Sequence, residues 1–549
     1  MKSPGGGPKD IYPPIVEESD PPNYSTYFNS KKITLTFDEF VTVSDVVKEV
    51  FISPPLQSSP EIKTKGKSVI ISFDEILLDS TTYSIFFGKA IKDLTEGNPL
   101  ENYNYVFSTG AKIDSLSIVG EVMDAFELKP REDVLVMLYE DDNDTIPFDS
   151  LLYFVKPSYL TRTSPEGFFV INNISGAEYA LIALADNNMS ATYDNAEEEV
   201  AFLDSLIIPK YLAPILNDSL FSDSLAMADS LPPDLPLEDF YTLFMFDEFD
   251  STQRLLGAEM TRKKVLRFIF RYPADDVIIK PLTEVSDDWM RKEWSKAHDT
   301  LRYYIMDESL DTISLKISLD TIVFDTVSYS LAEKEILQRK RDREAGQILK
   351  LLAPRLNPFP YFKDYIMVAG YPINESDFSQ SVLVEGEDSI SPAFSYTDEA
   401  GRYIRLDHEL KEDTKYSLFF PDSIFTDILG RSNDTTIFTF NTNSESNYGT
   451  YKIHITNESP YEQILIQLLS ENGKILREEM IDSDETISWD FLRPLKYMIK
   501  AIADINQNGI WDTGNFSERK QPEPVIFHPE ILEVRESWSF DLEWVVVFK

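Results

Sequence analysis

LLDSTTYSIFF at residues 77–87 and LKEDTKYSLFF at residues 410–420 follow the same pattern, and they decide how the rest of the chain is interpreted. Tyr83 and Tyr416 are 333 positions apart (416 − 83 = 333), and Phe107-Ser-Thr109 and Phe440-Asn-Thr442 repeat at that offset. Alternating apolar and polar residues are typical of half-buried strands. Two motifs at one fixed spacing predict an internal duplication of a β unit.

The region around the first copy holds about seven short strand patterns in roughly 100 residues, separated by turn signals, which indicates a β-sandwich. The order FDEFV, FISPPL, SFDEILLDSTTYSIFF, IKDLTEGNPL and YVFSTG resembles the bacterial Ig-like domain family found in surface proteins. The resemblance implies an Ig-like sandwich at 15–112 and a second copy at 353–444.

Each Ig-like unit is followed by a different β pattern, at 113–202 and at 445–549. The first contains a Gly-x-Val strand at Gly120, a GFFVIN turn from Gly167 and a YALIA strand from Tyr179. These motifs resemble the carboxypeptidase-regulatory or transthyretin-like sandwich. The opening strand of the second copy, 451–455, lacks the glycine.

The region between the copies is a third part of the chain. Residues 203–237 are rich in Asp, Ser, Leu and Pro and predict a long acidic loop. Strand patterns at 240–249, 265–272, 300–306, 313–319 and 322–329 predict a third β-sandwich at 238–330. Residues 331–352 are rich in Glu, Lys, Arg and Gln and predict a helix linker, whose basic run 339–343 is either a solvated face or a docking patch. The predicted fold class is therefore an all-β, elongated multidomain string of β-sandwiches with one linker helix.

Composition excludes several functions. The 549 residues carry a formal net charge of −43, which repels phosphate backbones and argues against nucleic-acid binding. The chain has no cysteine, so disulfides, thiolate catalysis and cysteine zinc sites are excluded. No run of eighteen apolar residues predicts a membrane-spanning helix.

Residues 1–14, with SPGGGPKD and Pro13-Pro14, predict a flexible tether. Together with the following strands, this segment resembles the region after the lipidated cysteine of Bacteroidetes outer-membrane lipoproteins, although the cysteine itself is absent from this chain. The resemblance implies a lipid anchor in the outer membrane and exposure at the cell surface. It also implies outer-membrane proteins or other surface lipoproteins as partners.

The loop after residues 497–503 places oxygen side chains at every second position, then a glycine, then another carboxylate. That spacing lets a tight loop surround a hard cation, so Ca²⁺ is the predicted cofactor. The proposed ligands are Asp504, Asn506, Asn508, Asp512 and the carbonyl of Ile510. The alternative is an Asx-rich turn whose side chains bond their own backbone.

A degenerate twin of this loop follows residues 179–185. Its proposed ligands are Asp186, Asn188, Ser190 and Asp194. Ala191 replaces the glycine, and Glu197, Glu198 and Glu199 lie nearby. In the first loop Asn515 stands where an EF-hand has a bidentate Glu, with Glu518 as a substitute ligand.

Enzyme signatures are absent from the sequence. The four histidines, His298, His408, His454 and His528, are scattered, and no nucleophile elbow, P-loop or dinucleotide-binding glycine motif occurs. We therefore predict a non-enzymatic surface lipoprotein with a structural or protein-binding role. The alternatives are a carbohydrate-binding or glycan-processing accessory protein, which would align its tryptophans on one exposed face, and a hydrolase with a site between modules.

Overall fold

The computed structural model describes residues 10–101, 103–141, 147–188, 190, 192–194, 198–211, 240–248, 252–331 and 348–548. In this part of the chain twelve sheets pair into five β-sandwiches, which we number 1 to 5 in chain order. The predicted all-β, multidomain class is confirmed. None of the described helices has the length and apolar character needed to span a membrane.

Sandwich 1 packs the sheet β1-β2-β6-β5 against β4-β7-β9, with β3 and β8 paired at one end. Every second side chain of β2 and β6 is buried, which is the alternation expected of strands with one face in a core. Its elements are β1 (Val16–Asp20), β2 (Lys32–Phe37), β3 (Val41–Val43), α1 (Val46–Glu49), β4 (Phe51–Ser53), β5 (Glu61–Lys65), β6 (Ser68–Ser72), β7 (Thr82–Phe86), β8 (Ile91–Asp93) and β9 (Asn104–Ser108).

Sandwich 2 packs β13-β10-β16 against β12-β11-β14-β15. Its elements are β10 (Leu116–Asp124), β11 (Leu135–Glu140), α2 (Phe148–Phe154), β12 (Tyr159–Arg162), β13 (Phe168–Ile174), β14 (Tyr179–Leu184), β15 (Val200–Phe202) and β16 (Phe240–Met245). The sequence analysis placed β16 in the third sandwich, but it pairs in parallel with β10. An apolar strand pattern does not say which sheet a strand joins, and parallel pairing needs a long crossover that separates partners in sequence.

Sandwich 3 packs β17-β18-β21-β20 against β19-β22-β23. Its elements are β17 (Leu255–Arg262), β18 (Val265–Phe270), β19 (Ile278–Pro281), β20 (Met290–Trp294), β21 (Thr300–Ile305), β22 (Thr312–Leu319) and β23 (Ile322–Ser330). Four of these strands coincide closely with the predicted ones, because their alternation is regular.

Sandwich 4 packs β24-β25-β30-β29 against β28-β27-β31-β33, with β26 and β32 paired at one end. Its elements are β24 (Leu351–Leu352), β25 (Ile366–Ala369), β26 (Ile373–Ser376), the 3₁₀ turn Phe378–Gln380, β27 (Val382–Glu385), β28 (Asp388–Ile390), β29 (Phe394–Tyr396), β30 (Tyr403–Leu406), β31 (Lys415–Phe420), β32 (Phe425–Asp427) and β33 (Thr436–Asn441).

Sandwich 5 packs β37-β34-β41 against β36-β35-β38-β39, with β40 also paired to β38. After the 3₁₀ turn Glu445–Asn447 its elements are β34 (Gly449–Asn457), β35 (Ile464–Ser470), β36 (Ile475–Ile481), β37 (Glu485–Leu492), β38 (Lys496–Ala503), β39 (Val525–Phe527), β40 (Leu532–Glu533) and β41 (Ser539–Val546).

Three predicted segments fall wholly or partly outside the described residues. Residues 1–9 of the tether, 212–237 of the acidic loop and 332–347 of the helix linker are not described. The C-terminal end of the predicted helix is wrong, because Leu351 and Leu352 form β24. The predicted domain boundaries otherwise remain predictions.

The duplication is visible in strand order. Sandwich 4 repeats the sheets of sandwich 1 and adds β28, and sandwich 5 repeats those of sandwich 2. In sandwiches 2 and 5 the opening strand, β10 or β34, forms an antiparallel pair on one side. On its other side it pairs in parallel with the last strand of the sandwich. The same cassette of two sandwiches therefore occurs twice, with sandwich 3 between the copies.

A hydrogen bond to a tyrosine hydroxyl is repeated at equivalent positions of sandwiches 1 and 4. The Tyr83 hydroxyl accepts a hydrogen bond from the Leu78 backbone N–H at 2.9 Å, and the Tyr416 hydroxyl accepts one from Lys411 N–H at 2.7 Å. Each hydroxyl holds the turn before its strand against the core, which explains why the two motifs share a tyrosine.

We expect Tyr83→Phe and Tyr416→Phe each to destabilise its own sandwich by about 1 kcal/mol, since a partly buried N–H loses its acceptor. Amide hydrogen exchange at Leu78 and Lys411 measures the loss locally. Tyr12→Phe, at a tyrosine that is 72% exposed, is the matched control. Unchanged exchange at both amides would show that these hydroxyls do not hold the turns.

The sandwiches do not form an elongated string, which corrects that part of the prediction. Sandwich 5 folds back onto sandwich 2, and side chains more than 260 residues apart in sequence are hydrogen-bonded there. Sandwich 3 contacts 4, and 4 contacts 5. Sandwiches 2 and 3 are consecutive in the chain, with residues 249–251 between their described parts, so the contacts of 3 with 4, of 4 with 5 and of 5 with 2 complete a closed circuit, which we call the ring.

Candidate functional site

The predicted cation loop leaves the end of β38 and is closed by its own side chains. The buried Asp504 accepts hydrogen bonds from the backbone N–H groups of Asn508 at 3.0 Å and Gly509 at 2.8 Å. The side-chain amides of Asn506 and Asn508 both donate to one carboxylate oxygen of Asp512. Gly509 has a φ of 82°, which its missing Cβ allows.

The twin loop after β14 makes matching bonds. Ser190 N–H donates to Asp186 at 3.0 Å and to Asn188 at 2.8 Å, as Asn508 N–H donates to Asp504 and Asn506. The Asn188 amide donates to Asp194 at 2.7 Å. The structure thus brings the predicted residues of each loop together. Ala191 and Glu197 lie outside the described residues.

A buried glutamate lies beneath each loop, and sequence reasoning missed the one at 523. Glu523 accepts hydrogen bonds from Ile505 N–H at 2.8 Å and Asp512 N–H at 3.0 Å. Glu198 accepts in the same way from Asn187 N–H at 3.2 Å and Asp194 N–H at 3.4 Å. Each glutamate stands two residues before a strand, β39 or β15, and this shared spacing is the signal that could have revealed the pair.

Both glutamates have a raised pKa. Burial is the largest cause at Glu523, and the nearby carboxylates of Asp512 and Asp504 raise its pKa further, against the lowering effect of its two N–H donors. At Glu198 burial again comes first, and Asp186 and Asp194 add to it. Two other residues that the sequence offered as additional ligands have different partners. Glu518 donates its backbone N–H to the Asn515 side chain, and the Glu199 carboxylate pairs with an arginine.

The donor set of the first loop suits a hard cation, but its conformation is that of an Asx-rich turn. Asp504, Asp512 and Glu523 are carboxylates with no ion pair to a described basic side chain. Ca²⁺ prefers such oxygen ligands. In this conformation, however, the described residues include no group of three or more acidic or histidine side chains placed to hold a metal. Both alternatives from the sequence therefore stay open, and calcium stays a prediction.

The chain continues from the first loop directly into the junction with sandwich 2. The Trp511 ring packs on Phe126 with 4.9 Å between centroids, and its N–H donates to the Glu523 carbonyl at 2.9 Å. The Thr513 hydroxyl donates to the Asp247 carbonyl at 2.5 Å. The cation loop and the junction are thus one continuous stretch of backbone.

Phe516 inserts into an aromatic cup on sandwich 2 and is fully buried. Its ring lies 5.5 Å from Phe148 and 5.6 Å from Phe202, between centroids, and Phe246 belongs to the same cluster. Its backbone N–H donates to the Glu248 carboxylate at 2.7 Å.

Polar side chains surround this apolar contact. Arg519 lies 4.4 Å over the Phe148 ring and donates to the Asp204 carbonyl at 2.7 Å. The Gln521 amide donates to the Phe202 carbonyl at 2.9 Å and to the Asp204 carboxylate at 3.0 Å. An apolar centre with a polar rim is the usual anatomy of a protein–protein interface.

Sandwich 2 covers sandwich 5 in return. Phe126, in the turn after β10, packs on the outer face of the β36-β35-β38-β39 sheet, beside Leu465, Ile502 and Val525. Beneath it the Lys500 ammonium is almost fully buried, donates to the Phe126 carbonyl at 2.8 Å and lies 3.2 Å from the ring centroid. Burial lowers the pKa of Lys500 to about 8, against the opposing effect of Glu127 and Asp124.

The lowered pKa of Lys500 therefore predicts that the free energy of unfolding rises with pH. Between pH 8 and the ordinary lysine pKa of about 10.4 the unfolded chain binds more protons than the folded one, so unfolding becomes harder as pH rises. The slope from one such group is at most about 1.4 kcal/mol per pH unit.

We expect Lys500→Met to remove this slope and to stabilise the protein at pH 7, because the cost of burying a charge disappears. Denaturant unfolding at pH 7 to 9.5 measures it, as the difference between variant and wild type. Lys496→Met, at an exposed lysine of the same strand, is the control. Parallel pH curves for wild type and Lys500→Met would contradict the burial of a charged amine.

The other candidate residues do not converge. His298 bonds Asp275, His408 bonds Glu385 and His454 bonds Thr486, each in a different place. The tryptophans do not form a row for carbohydrate: Trp289, Trp489 and Trp544 are buried, while Trp538 is exposed.

Comparison with protein families identifies one module. Residues 10–109 match the family model of the bacterial Ig-like domain, which agrees with the strand order of sandwich 1. Sandwich 1 is therefore an Ig-like domain of the kind that the sequence motifs predict. No curated protein has a sequence that matches this chain.

Solved structures give only distant likenesses. The N-terminal part of the bacterial S-layer protein SbsC is 13% identical over 36% of this chain and 43% of its own, with a TM-score of 0.13. BcpA, the major pilin subunit of Bacillus cereus, is 8% identical over 79% of this chain and 99% of its own, with a TM-score of 0.15. An L,D-transpeptidase from Mycobacterium smegmatis is 14% identical over 31% of this chain and 76% of its own, with a TM-score of 0.14. At these TM-scores the likenesses carry no argument about function.

Proposed function

We propose that this chain is a non-enzymatic, surface-exposed outer-membrane lipoprotein with a structural or protein-binding role, acting as a subunit of an outer-membrane assembly. The observation that carries the proposal is the Ig-like domain at residues 10–109, repeated in strand order by sandwich 4. Sandwiches of this kind are rigid scaffolds whose loops and faces make contacts. The tether at residues 1–14 adds the lipid anchor, through its resemblance to lipoproteins.

The charge of the chain supports a protein partner. A net charge of −43 keeps the molecule away from anionic lipid and nucleic acid, and it favours partners that present basic surfaces. Outer-membrane proteins and other surface lipoproteins are the partners we propose.

Surface exposure is tested with the full-length lipidated protein in its native membrane. We expect protease added to intact cells to cleave the chain, and affinity purification from those membranes to recover partner proteins. A periplasmic protein of the same cells is the control for membrane leakage. Protection of the chain in intact cells, together with cleavage after lysis, would contradict surface display.

We also propose Ca²⁺ as the ligand of the 504–512 loop, with Asp504, Asn506, Asn508, Asp512 and the Ile510 carbonyl as ligands and Glu523 as a further carboxylate beneath them. The donor chemistry supports this, because three carboxylates lie there without a basic partner among the described side chains. A bound cation would supply the missing positive charge. The degenerate loop of Asp186, Asn188, Ser190 and Asp194 is a second proposed site, which has fewer carboxylates.

Calcium should raise the free energy of unfolding by about 2.7 kcal/mol at a hundredfold excess over its Kd. Asp512→Asn should remove most of this gain, and Glu536→Gln, at an exposed glutamate of the same sandwich, should leave it. Thermal melting in calcium and in chelator measures both. Identical melting curves for the wild type in the two conditions would leave the loop as a plain Asx-rich turn.

A further inference from the structure

Residues 511–521, which we call the clasp, join sandwich 5 to sandwich 2 through an apolar contact and several hydrogen bonds. They belong to sandwich 5 by sequence, but Phe516 is buried among residues of sandwich 2. The clasp is pinned on both sides of that ring, by Thr513 to the Asp247 carbonyl and by Arg519 to the Asp204 carbonyl.

The clasp packs closely against the surface of sandwich 2. A Cβ placed on Gly514 would lie 2.6 Å from the Phe246 ring and 2.8 Å from the Lys520 carbonyl. The neighbouring Asn515 and Lys520 bond each other through their backbones at 2.7 and 2.8 Å, which holds the clasp as a small hairpin around Phe516. The clasp is thus held in shape by its own backbone bonds, and it fits closely against sandwich 2.

The junction can separate without breaking a sheet. Among the described strands no ladder runs between sandwiches 2 and 5, because their paired sheets are internal to each sandwich. The junction consists of the Phe516 ring in its aromatic cup, the apolar contact of Phe126 and Leu128 with the outer face of the sandwich 5 sheet, the Trp511 contact, Lys500 and a few side-chain bonds to backbone. Interfaces of this kind open at a lower free energy than the sandwiches they join unfold.

We propose that the clasp is a releasable closure: it holds sandwich 5 on sandwich 2, and its undocking opens the ring of sandwiches 2 to 5 as one step while every sandwich stays folded. Closed, the chain transmits force from sandwich 2 straight to sandwich 5, and sandwiches 3 and 4 bear no load. Open, the same two sandwiches are joined only through 3 and 4, and the molecule lengthens.

The first test compares variants of the full chain by small-angle X-ray scattering. The double variant Phe516→Ala with Arg519→Ala removes the buried ring and the arginine that lies over Phe148. The variant Gly514→Ala keeps both of these side chains but places a Cβ against the Phe246 ring. We expect each to increase the radius of gyration and the maximum dimension without loss of the β-sheet circular dichroism signal. Ile510→Ala, at a residue of the adjoining loop that is 61% exposed, is the matched control. Scattering curves identical to wild type for both clasp variants would overturn the proposal.

A second test needs no substitution and guards against variants that unfold. Hydrogen exchange of the wild-type chain should show the clasp amides, including Phe516 and Lys520, exchanging together, at least about tenfold faster than amides of β35 and β38. If the clasp amides exchange only when the whole chain unfolds, the proposal is overturned. Because neither test uses calcium or cells, their outcome is independent of the proposed cation site and of surface display.

Discussion

The outer faces of the β12-β11-β14-β15 and β36-β35-β38-β39 sheets are apolar and must be covered, and each of the two sandwiches contributes side chains to the cover of the other. In β11 and β14 almost every side chain is buried, and the same holds for β35 and most of β38. A strand at the surface of a sandwich buries one face only, so strands with both faces apolar require a second layer. Over β11 and β14 that layer combines α2 of the same sandwich with Phe516 and Trp511 of sandwich 5, and over β35 and β38 it includes Phe126 and Leu128 of sandwich 2. The clasp completes this cover where Phe516 enters the aromatic cup.

The two cassettes share their strand order but not their packing. In the first cassette, Ser53 of sandwich 1 exchanges hydrogen bonds of 3.1 and 3.2 Å with the Leu160 backbone, and Arg162 lies over the Phe51 ring. In the second, Phe362 of sandwich 4 stacks on Phe491 of sandwich 5, at 4.2 Å between ring centroids. A duplicated fold therefore does not carry a duplicated junction, since a few side chains at the domain edges decide the angle between neighbours.

The junction of sandwiches 3 and 4 is built on a buried polar network instead. Arg402 donates to Glu293 at 2.5 Å and to the Tyr304 hydroxyl at 2.6 Å, and Tyr304 donates to Glu293 at 2.6 Å. Burial raises the pKa of Tyr304, with Arg402 acting in the opposite direction, so the hydroxyl keeps its proton. Buried pairs of this type add little net stability, because desolvation offsets their attraction. Their geometric demands instead fix one orientation of the two sandwiches, which is what a ring of four modules needs in order to close.

The sequence by itself determined most strands, the all-β class, the repeated cassette and the oxygen-rich loops after β14 and β38, because these depend on local alternation, turn residues and fixed spacing. It could not assign β16 to sandwich 2, place Glu523 under its loop, or bring Phe516 to a cup whose rings lie 270 to 368 positions away in sequence. Those features depend on contacts between distant residues, and a linear pattern records which faces are apolar but not which surface covers them. Only the tertiary structure decided that the chain folds back on itself, because part of the cover over the second faces of β11, β14, β35 and β38 comes from the other copy.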